Sequence, residues 1–463
     1  MAAWQATEPA LEPAGRDGPH VVVVGGGLAG AAAAHRLAVH GARVTLLERD
    51  ERLGGRARHA TRDGRVYDVG AHLLGGRDAA VRRLAEEAGL GARLLPVRPA
   101  ALAWVRAGEV RHGDAVGWRG IGRLPGVSTR SMLRLVRLGR WMARFEDLLD
   151  PARPEAAARL DDRSLADFVT LYFGRSALEG WAAPFVADLG AEPETASRAL
   201  FALHLAARRL ASVGTLRDGV GLLPDALARA ADDVRTGAAV REVGGRPDAP
   251  EVVVDGAPEG EARLAADAVV VATPAATAAR LAAPLLLPAE REALAAGTTA
   301  GAAVLAVGLE RVVVGRCTRI RVPRREGWPL DVVHVEPGGA RAPQGAELAV
   351  MVADPAALRA RRGVGDDVHA KELLGLLQRL APGASGAAGF TALHRVPDAW
   401  PRFDVGRVRA VARLRRLGAA RRAEGRRLYL AGDHLVAPTL EGAAVSGLRA
   451  ADEAAEDLGL APV

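Results

Sequence analysis

The 463-residue chain has one cysteine, one lysine and few aromatic rings, and each shortage closes off a class of proteins. A lone Cys317 permits no internal disulfide, so packing must hold the fold, and a reducing compartment, the cytoplasm, is expected. Aromatic residues make up 4% of the chain, with no stacking motif or recognition helix among them, which argues against nucleic acid as a partner. No stretch approaches the ~18 uninterrupted apolar residues of a spanning helix. Residues 1–19, rich in Pro, Ala and acidic side chains, lack the basic start and apolar block of a signal peptide and read as a loose tail. No metal ligand set is expected.

What is abundant is apolar residue and arginine. At 49% hydrophobic, the chain can bury a large core divided into two or three domains. The formal net charge is +7, and Lys371 is the only lysine among 62 basic residues. Such Ala, Gly and Arg dominance looks like the codon bias of a GC-rich genome, which weakens each arginine as a functional signal. The excess charge still permits contact with an anionic surface.

The organising stretch is HVVVVGGGLAGAAAAHRLAVHGARVTLLERDERLGGR, residues 20–56. Four consecutive valines, 21–24, read as a buried parallel strand, and Gly25, Gly27 and Gly30 form a G-x-G-x-x-G turn into an alanine-rich helix. Glycine at 25 permits the tight turn, glycine at 27 lets a pyrophosphate approach the backbone, and glycine at 30 lets helix and strand pack closely. A second strand, 43–47, ends in Glu48, where a carboxylate can accept both hydroxyls of an adenosine ribose. NADP is disfavoured, because its 2′-phosphate would meet that charge. NAD and FAD both remain.

Leu53-Gly54-Gly55-Arg56 turns the chain back, and the arginine can reach a pyrophosphate or a flavin. A hairpin through Gly64 leads to the loop Gly70-Ala71-His72-Leu73, whose backbone can approach a flat ring. A surface helix at 77–89 follows. Residues 131–150 read as an amphipathic helix, with Met132, Leu135, Val136, Leu138, Met142, Phe145 and Leu149 on one side and Arg134, Arg137, Arg140 and Arg144 on another. Such a helix can lie on a membrane surface. Residues 160–210 read as helical throughout, capped by Ser164, and strands are expected at 234–243, 251–255, 268–272, 302–309, 331–335 and 348–352.

At the far end, 427–433 is a short strand closing in Gly432-Asp433, and TLEGAAVSG at 439–447 starts a helix of small residues. Asp433 can accept from a ribityl hydroxyl, and the helix start would stabilise negative charge on a reduced ring. This distant clamp favours FAD over NAD. His72 and His434 are catalytic candidates by location alone.

Together GGGLAG, ER..RLGGRA, DVGAHLL and LAGD…TLEGAAVSGLRAA resemble the flavin-containing amine oxidase superfamily. Within it the chain is most similar to the branch of phytoene desaturases, squalene-associated desaturases and protoporphyrinogen oxidases. The resemblance implies an α/β fold, a Rossmann-like FAD-binding domain (20–95, 212–280, 396–463) interleaved with an α+β substrate domain (96–211, 281–395). It implies non-covalent FAD held at Gly25, Gly27, Leu28, Ala29, Gly30, Glu48, Arg49, Gly55, Arg56, Gly70, Ala71, His72, Leu73, Val240, Gly432, Asp433, Glu441, Gly442 and Ala443.

Two departures shape the functional expectation. Where carotenoid desaturases commonly carry Gly-Pro and squalene-associated ones Gly-Gln-His, this chain has Gly70-Ala71-His72. Polyamine and monoamine oxidases resemble one another in a lysine near the flavin N5, and Lys371 in DDVHAKELLGLLQRL is badly placed for that. The expected activity is hydride removal from a hydrophobic, isoprenoid-type substrate of squalene or carotenoid kind, with oxygen or a quinone as acceptor. The enzyme would work in the cytoplasm, at the inner face of the membrane through 131–150. A porphyrinogen is the second substrate, an amine the third.

Overall fold

A computed structural model describes residues 17–70, 74–75, 78–95, 98–99, 102–113, 126–207, 212–257, 260–315, 319–338, 342–361 and 363–461. Most of the expected tail, the loop residues Ala71, His72 and Leu73, and Cys317 lie outside the described residues.

A five-stranded parallel sheet runs in the order Asp233–Arg235, Arg43–Leu47, His20–Val24, Ala268–Val271, Leu428–Leu430. The valine run is continuous because the sheet is covered on both faces. Val21 and Val23 pack with Ala33, Leu37 and Tyr429 on one side, and Val22 and Val24 with Val243, Leu281 and Leu294 on the other. The second sheet has seven strands, mostly antiparallel, in the order Ala388–Pro401, Thr299–Leu309, Glu347–Val352, Val332–Pro337, Arg319–Arg321, Leu102–Arg106, Glu109–Gly113.

Around the two sheets lie helices α1 (Leu28–Val39), α2 (Ala79–Glu87), α3 (Thr129–Arg144), α4 (Leu165–Phe173), α5 (Pro288–Ala295), α6 (Asp366–Leu380), α7 (Arg407–Ala423) and α8 (Leu440–Asp457). The small residues of α1 and α8 let the two helices touch: a Cβ on Gly447 would stand 2.1 Å from the Ala29 carbonyl oxygen. One face of the seven-stranded sheet carries Leu305, Val307, Val333 and Met351 against Leu373 and Leu377 of α6. Its other face carries Ala302, Val304, Ala306, Val350, Phe390 and Ala392 against Tyr67 of the hairpin His59–Arg62 and Arg65–Asp68. The edge strand Ala388–Pro401 also accepts from Arg56 at the Ala399 carbonyl, so this inner face adjoins the turn that follows Arg43–Leu47.

Several expectations are revised. The strand expected at 234–243 is two strands: Asp233–Arg235 joins the parallel sheet and Val240–Arg246 a three-stranded antiparallel one. The break is at Gly237, whose φ is +66°. The stretch 160–210 is not one helical run, because Gly174 at φ +97° ends α4 and Gly190 at φ +61° ends a short 3₁₀ turn. Leu281, Leu285 and Leu294 pack beneath the parallel sheet, and the strand Ala388–Pro401 runs past 396. The chain therefore leaves that layer nearer 298 than 281. The 131–150 helix ends at Arg144, and Val136 points outward, 53% exposed.

Candidate functional site

The glycine turn divides its labour. Gly25 has a φ of +107° and its Cβ would sit 2.9 Å from the Ala272 carbonyl, while a Cβ on Gly30 would stand 1.8 Å from the Gly25 carbonyl. Both serve the protein's own packing. A Cβ on Gly27 would meet nothing within 4 Å. Gly27 also caps α1 with no side-chain acceptor, so the first N–H groups of the helix have no side-chain cap. Leu28 and Ala29 are buried in the cores and offer only backbone there.

Glu48 follows the second strand with 9% exposure. One carboxylate oxygen accepts from the Gly26 amide at 2.7 Å and the other from the Asp50 amide at 2.9 Å. Each oxygen retains a lone pair for a ligand hydroxyl. The Ala238 amide bonds the Glu48 carbonyl at 2.8 Å, which brings the start of the Val240–Arg246 strand beside this acid. Arg49 is different: its side chain is 76% exposed and lies 3.5 Å from Asp50, because the alternation that turns Glu48 inward turns its neighbour outward.

The two ends of the chain meet next to this turn. The Gly54 amide bonds the Gly26 carbonyl at 2.8 Å, and a Cβ on Gly55 would stand 3.5 Å from the Gly27 Cα. Arg56 then reaches Asp433, with Nη2 donating to Oδ1 at 2.7 Å, and its Nη1 donates to the Ala399 carbonyl at 3.4 Å. The sequence suggests that each of these groups faces the cofactor; the structure pairs them with each other. Gly70 packs on the Arg56 backbone, leaving 2.3 Å between its Cβ position and that carbonyl.

Beyond Asp433 the chain prepares a helix start. The Gly432 amide donates to Ser446 Oγ at 2.9 Å, and Thr439 Oγ1 accepts from the Gly442 amide at 3.0 Å, capping α8. Gly442 needs to be glycine, because its Cβ would lie 2.1 Å from the Ala437 carbonyl. Ala443 packs toward α1. Glu441 does not present its side chain to a ligand: its carboxylate accepts from the Ala80 and Val81 amides at 2.9 Å each and so caps α2. Burial pushes the Glu441 pKa up, against those amide bonds.

His434, the second catalytic candidate, lies enclosed beside Asp433. It is 2% exposed, neither ring nitrogen has a hydrogen-bond partner among the described residues, and burial with the nearby Arg407 and Arg56 pushes its pKa down to about 3. His72 lies outside the described residues. Sequence reasoning passed over Ser446 and Arg407, whose side chain donates to the Ala293 and His434 carbonyls at 3.0 and 3.2 Å. The repeated small residues of α8 hinted at the first, and nothing local marks the second.

Open amides at Gly27, an oriented carboxylate at Glu48, and a junction running through Gly55, Arg56 and Asp433 to the start of α8 form one continuous path. They fit, in that order, the pyrophosphate, the adenosine ribose and the polyol-to-ring end of an extended dinucleotide.

The sequence profile of the flavin-containing amine oxidoreductases matches residues 28–455. The chain is 37% identical over 70 residues to the mitochondrial protoporphyrinogen oxidase of Nicotiana tabacum, covering 15% of this chain and 14% of that one. It is 48% identical over 77 residues to the human peroxisomal N(1)-acetyl-spermine/spermidine oxidase, covering 16% and 15%. These alignments span less than half the length of the curated relatives. In structure the chain superposes on wild-type putrescine oxidase bound to putrescine with a TM-score of 0.76 at 19% identity, covering 94% and 98%. Likeness at that identity speaks to the fold.

Proposed function

The chain belongs to the flavin-containing amine oxidoreductase family, whose cofactor is FAD, and on that premise we propose that it removes a hydride from an apolar, isoprenoid-type C–H donor. The observation that carries this reading is the placing of polar groups about the seven-stranded sheet. Its inner face near the junction is built of Ala302, Val304, Ala306, Val350, Ala392 and Phe390. The only lysine of the sequence, Lys371, is exposed on α6, which covers the opposite face. The lysine in which polyamine and monoamine oxidases resemble one another therefore has no counterpart on the inner face.

Bound FAD supplies an acceptor for two electrons, which oxygen or a quinone later collects. The protein's part is to hold and orient. On binding, the amides at Gly27 would take the pyrophosphate, Glu48 would accept from the ribose, and the Thr439-capped start of α8 would offer its N–H groups to the ring end.

A porphyrinogen is the second reading, supported by two arginines on the same inner face. Arg319 and Arg321 are each 3% exposed, and Arg321 donates to the Pro184 carbonyl and stacks 5.6 Å over Phe185. Anaerobic mixing of the purified yellow protein with a squalene-class isoprenoid, a porphyrinogen and a primary amine tests the choice. Loss of the flavin's visible band with the isoprenoid alone is expected. Bleaching by the porphyrinogen alone selects the second reading, and bleaching by the amine overturns both.

An apolar substrate is best collected from a bilayer, and α3 is the surface we assign to it. Leu133 and Val136 are 71% and 53% exposed beside Arg130, Arg137 and Arg140, and none of the three arginines is ion-paired among the described residues. Leu171 and Tyr172 of the adjacent α4 are 66% and 45% exposed. Exposed apolar side chains among free cations suit an anionic phospholipid surface. Among the described residues no helix is long and apolar enough to cross a membrane.

A further inference from the structure

We propose that Arg407, standing behind His434, is a fixed positive group that makes the bound FAD easier to reduce. The inference rests on the FAD reading above and concerns a side chain that reaches the cofactor path only through the His434 carbonyl. Arg407 is thus a positioning and electrostatic residue, not a catalytic one.

The case begins with a charge that lacks a counter-ion. Arg407 is 8% exposed, and its guanidinium donates to two carbonyls, those of Ala293 at 3.0 Å and His434 at 3.2 Å. No carboxylate lies within ion-pair distance of it among the described residues. Elsewhere the protein does supply one: the other buried arginine of α7, Arg421, meets Glu290 at 3.2 Å. A buried guanidinium without an anion is costly, and burial alone depresses the pKa of Arg407. It nevertheless keeps its proton, since arginine's starting point is so high.

Its place in the helix adds to the cost. Arg407 is the first residue of α7, where the helix dipole already presents positive charge. Tying the Ala293 and His434 carbonyls together needs only a neutral amide donor. The charge requires a separate reason.

His434 shows where the charge is felt. Its imidazole is buried, neither nitrogen has a partner among the described residues, and burial first, then the Arg407 and Arg56 guanidiniums, disfavours its protonation. Among the described residues, the charges that meet at the turn Asp433–Leu435 are Arg56, Arg407 and one carboxylate, Asp433, which Arg56 neutralises at 2.7 Å. One positive charge is left over. The same turn leads into the N-terminus of α8, so helix start and guanidinium act with the same sign. A cofactor that gains two electrons there is held more tightly in its reduced form than in its oxidised form.

The test uses the holoprotein and reads the flavin's midpoint potential and its affinity for sulfite, neither of which requires turnover. Arg407→Gln is expected to weaken the sulfite adduct about tenfold, equivalent to a two-electron potential about 30 mV lower, while Arg407→Lys stays near wild type. A yellow Arg407→Gln protein with unmoved potential overturns the proposal, as does a loss of FAD affinity with no change in potential, the mark of a merely structural tie. If Arg407→Gln does not fold, Arg407→Met is read in its place: the same fall in potential and sulfite affinity is expected, and no shift overturns the proposal. A wild-type protein that binds no FAD would instead defeat the functional reading itself.

Discussion

Two helices of this protein, α3 and α7, are dense with arginine and use it in opposite ways. On α7, Arg421 meets Glu290 at 3.2 Å, Arg415 meets Glu453 at 2.7 Å, and Arg422 meets Asp457 and Glu456 at 2.8 Å. Asp161, fully buried, accepts from the Gly406 and Arg409 amides at 2.9 Å and so caps the same helix. On α3, Arg130, Arg134, Arg137 and Arg140 have no ion pair among the described residues, and Arg144 only stacks 5.6 Å over Phe145. An arginine-rich helix is therefore a tie when distant carboxylates come to it and an open surface when none does.

The largest difference between them should appear in stability. Glu290→Ala would strand the Arg421 guanidinium, which is 3% exposed, and also remove an acceptor from the Leu287 amide. A loss of about 3–5 kcal/mol is expected from the urea midpoint. Arg137→Gln on α3 should stay within about 0.5 kcal/mol of wild type. Similar losses from both variants would erase the contrast.

Much of this could be read in the sequence, and the reasons for what could not are physical. Gly25, Gly27, Gly30 and Glu48 signal themselves because one short stretch sets their spacing, and the observed turn uses each glycine differently. Glu441 and Arg49 sit inside motifs that resemble cofactor contacts, yet direction decides their roles: one caps α2 and the other faces solvent. The Arg56–Asp433 pair joins positions 377 apart, and no local pattern encodes a partner at that range. The periodicity places Val136 on the same apolar side as Leu135 and Leu138. Leu135 and Leu138 are buried together with Ser131, whereas Val136 is left outside with Leu133.

The second effect should be seen on vesicles. Free cations near an anionic surface contribute about 1 kcal/mol each, so Arg137→Gln with Arg140→Gln should weaken binding to phosphatidylglycerol-containing vesicles roughly thirtyfold. Leu133→Ser with Val136→Ser should weaken it too, without lowering the unfolding midpoint. Vesicles of phosphatidylcholine alone should bind poorly. Co-sedimentation that is indifferent to all four substitutions would remove the bilayer as the partner of α3.

The smallest effect belongs to the exposed ties of α7. Arg415 and Glu453 approach to 2.7 Å, but their side chains keep 33% and 22% of their exposure, so water screens the attraction and holding two long side chains costs entropy. Arg415→Gln should cost about 0.2–1 kcal/mol in dilute buffer. In about 1 M salt, where the screening length falls to about 3 Å, the loss should nearly vanish. Arg140→Gln on α3 has no ion pair to lose, and removing one of several neighbouring like charges should leave the midpoint unchanged or slightly raised at low salt. Opposite signs for these two small shifts, converging as salt rises, would show that pairing separates the helices and that arginine content does not.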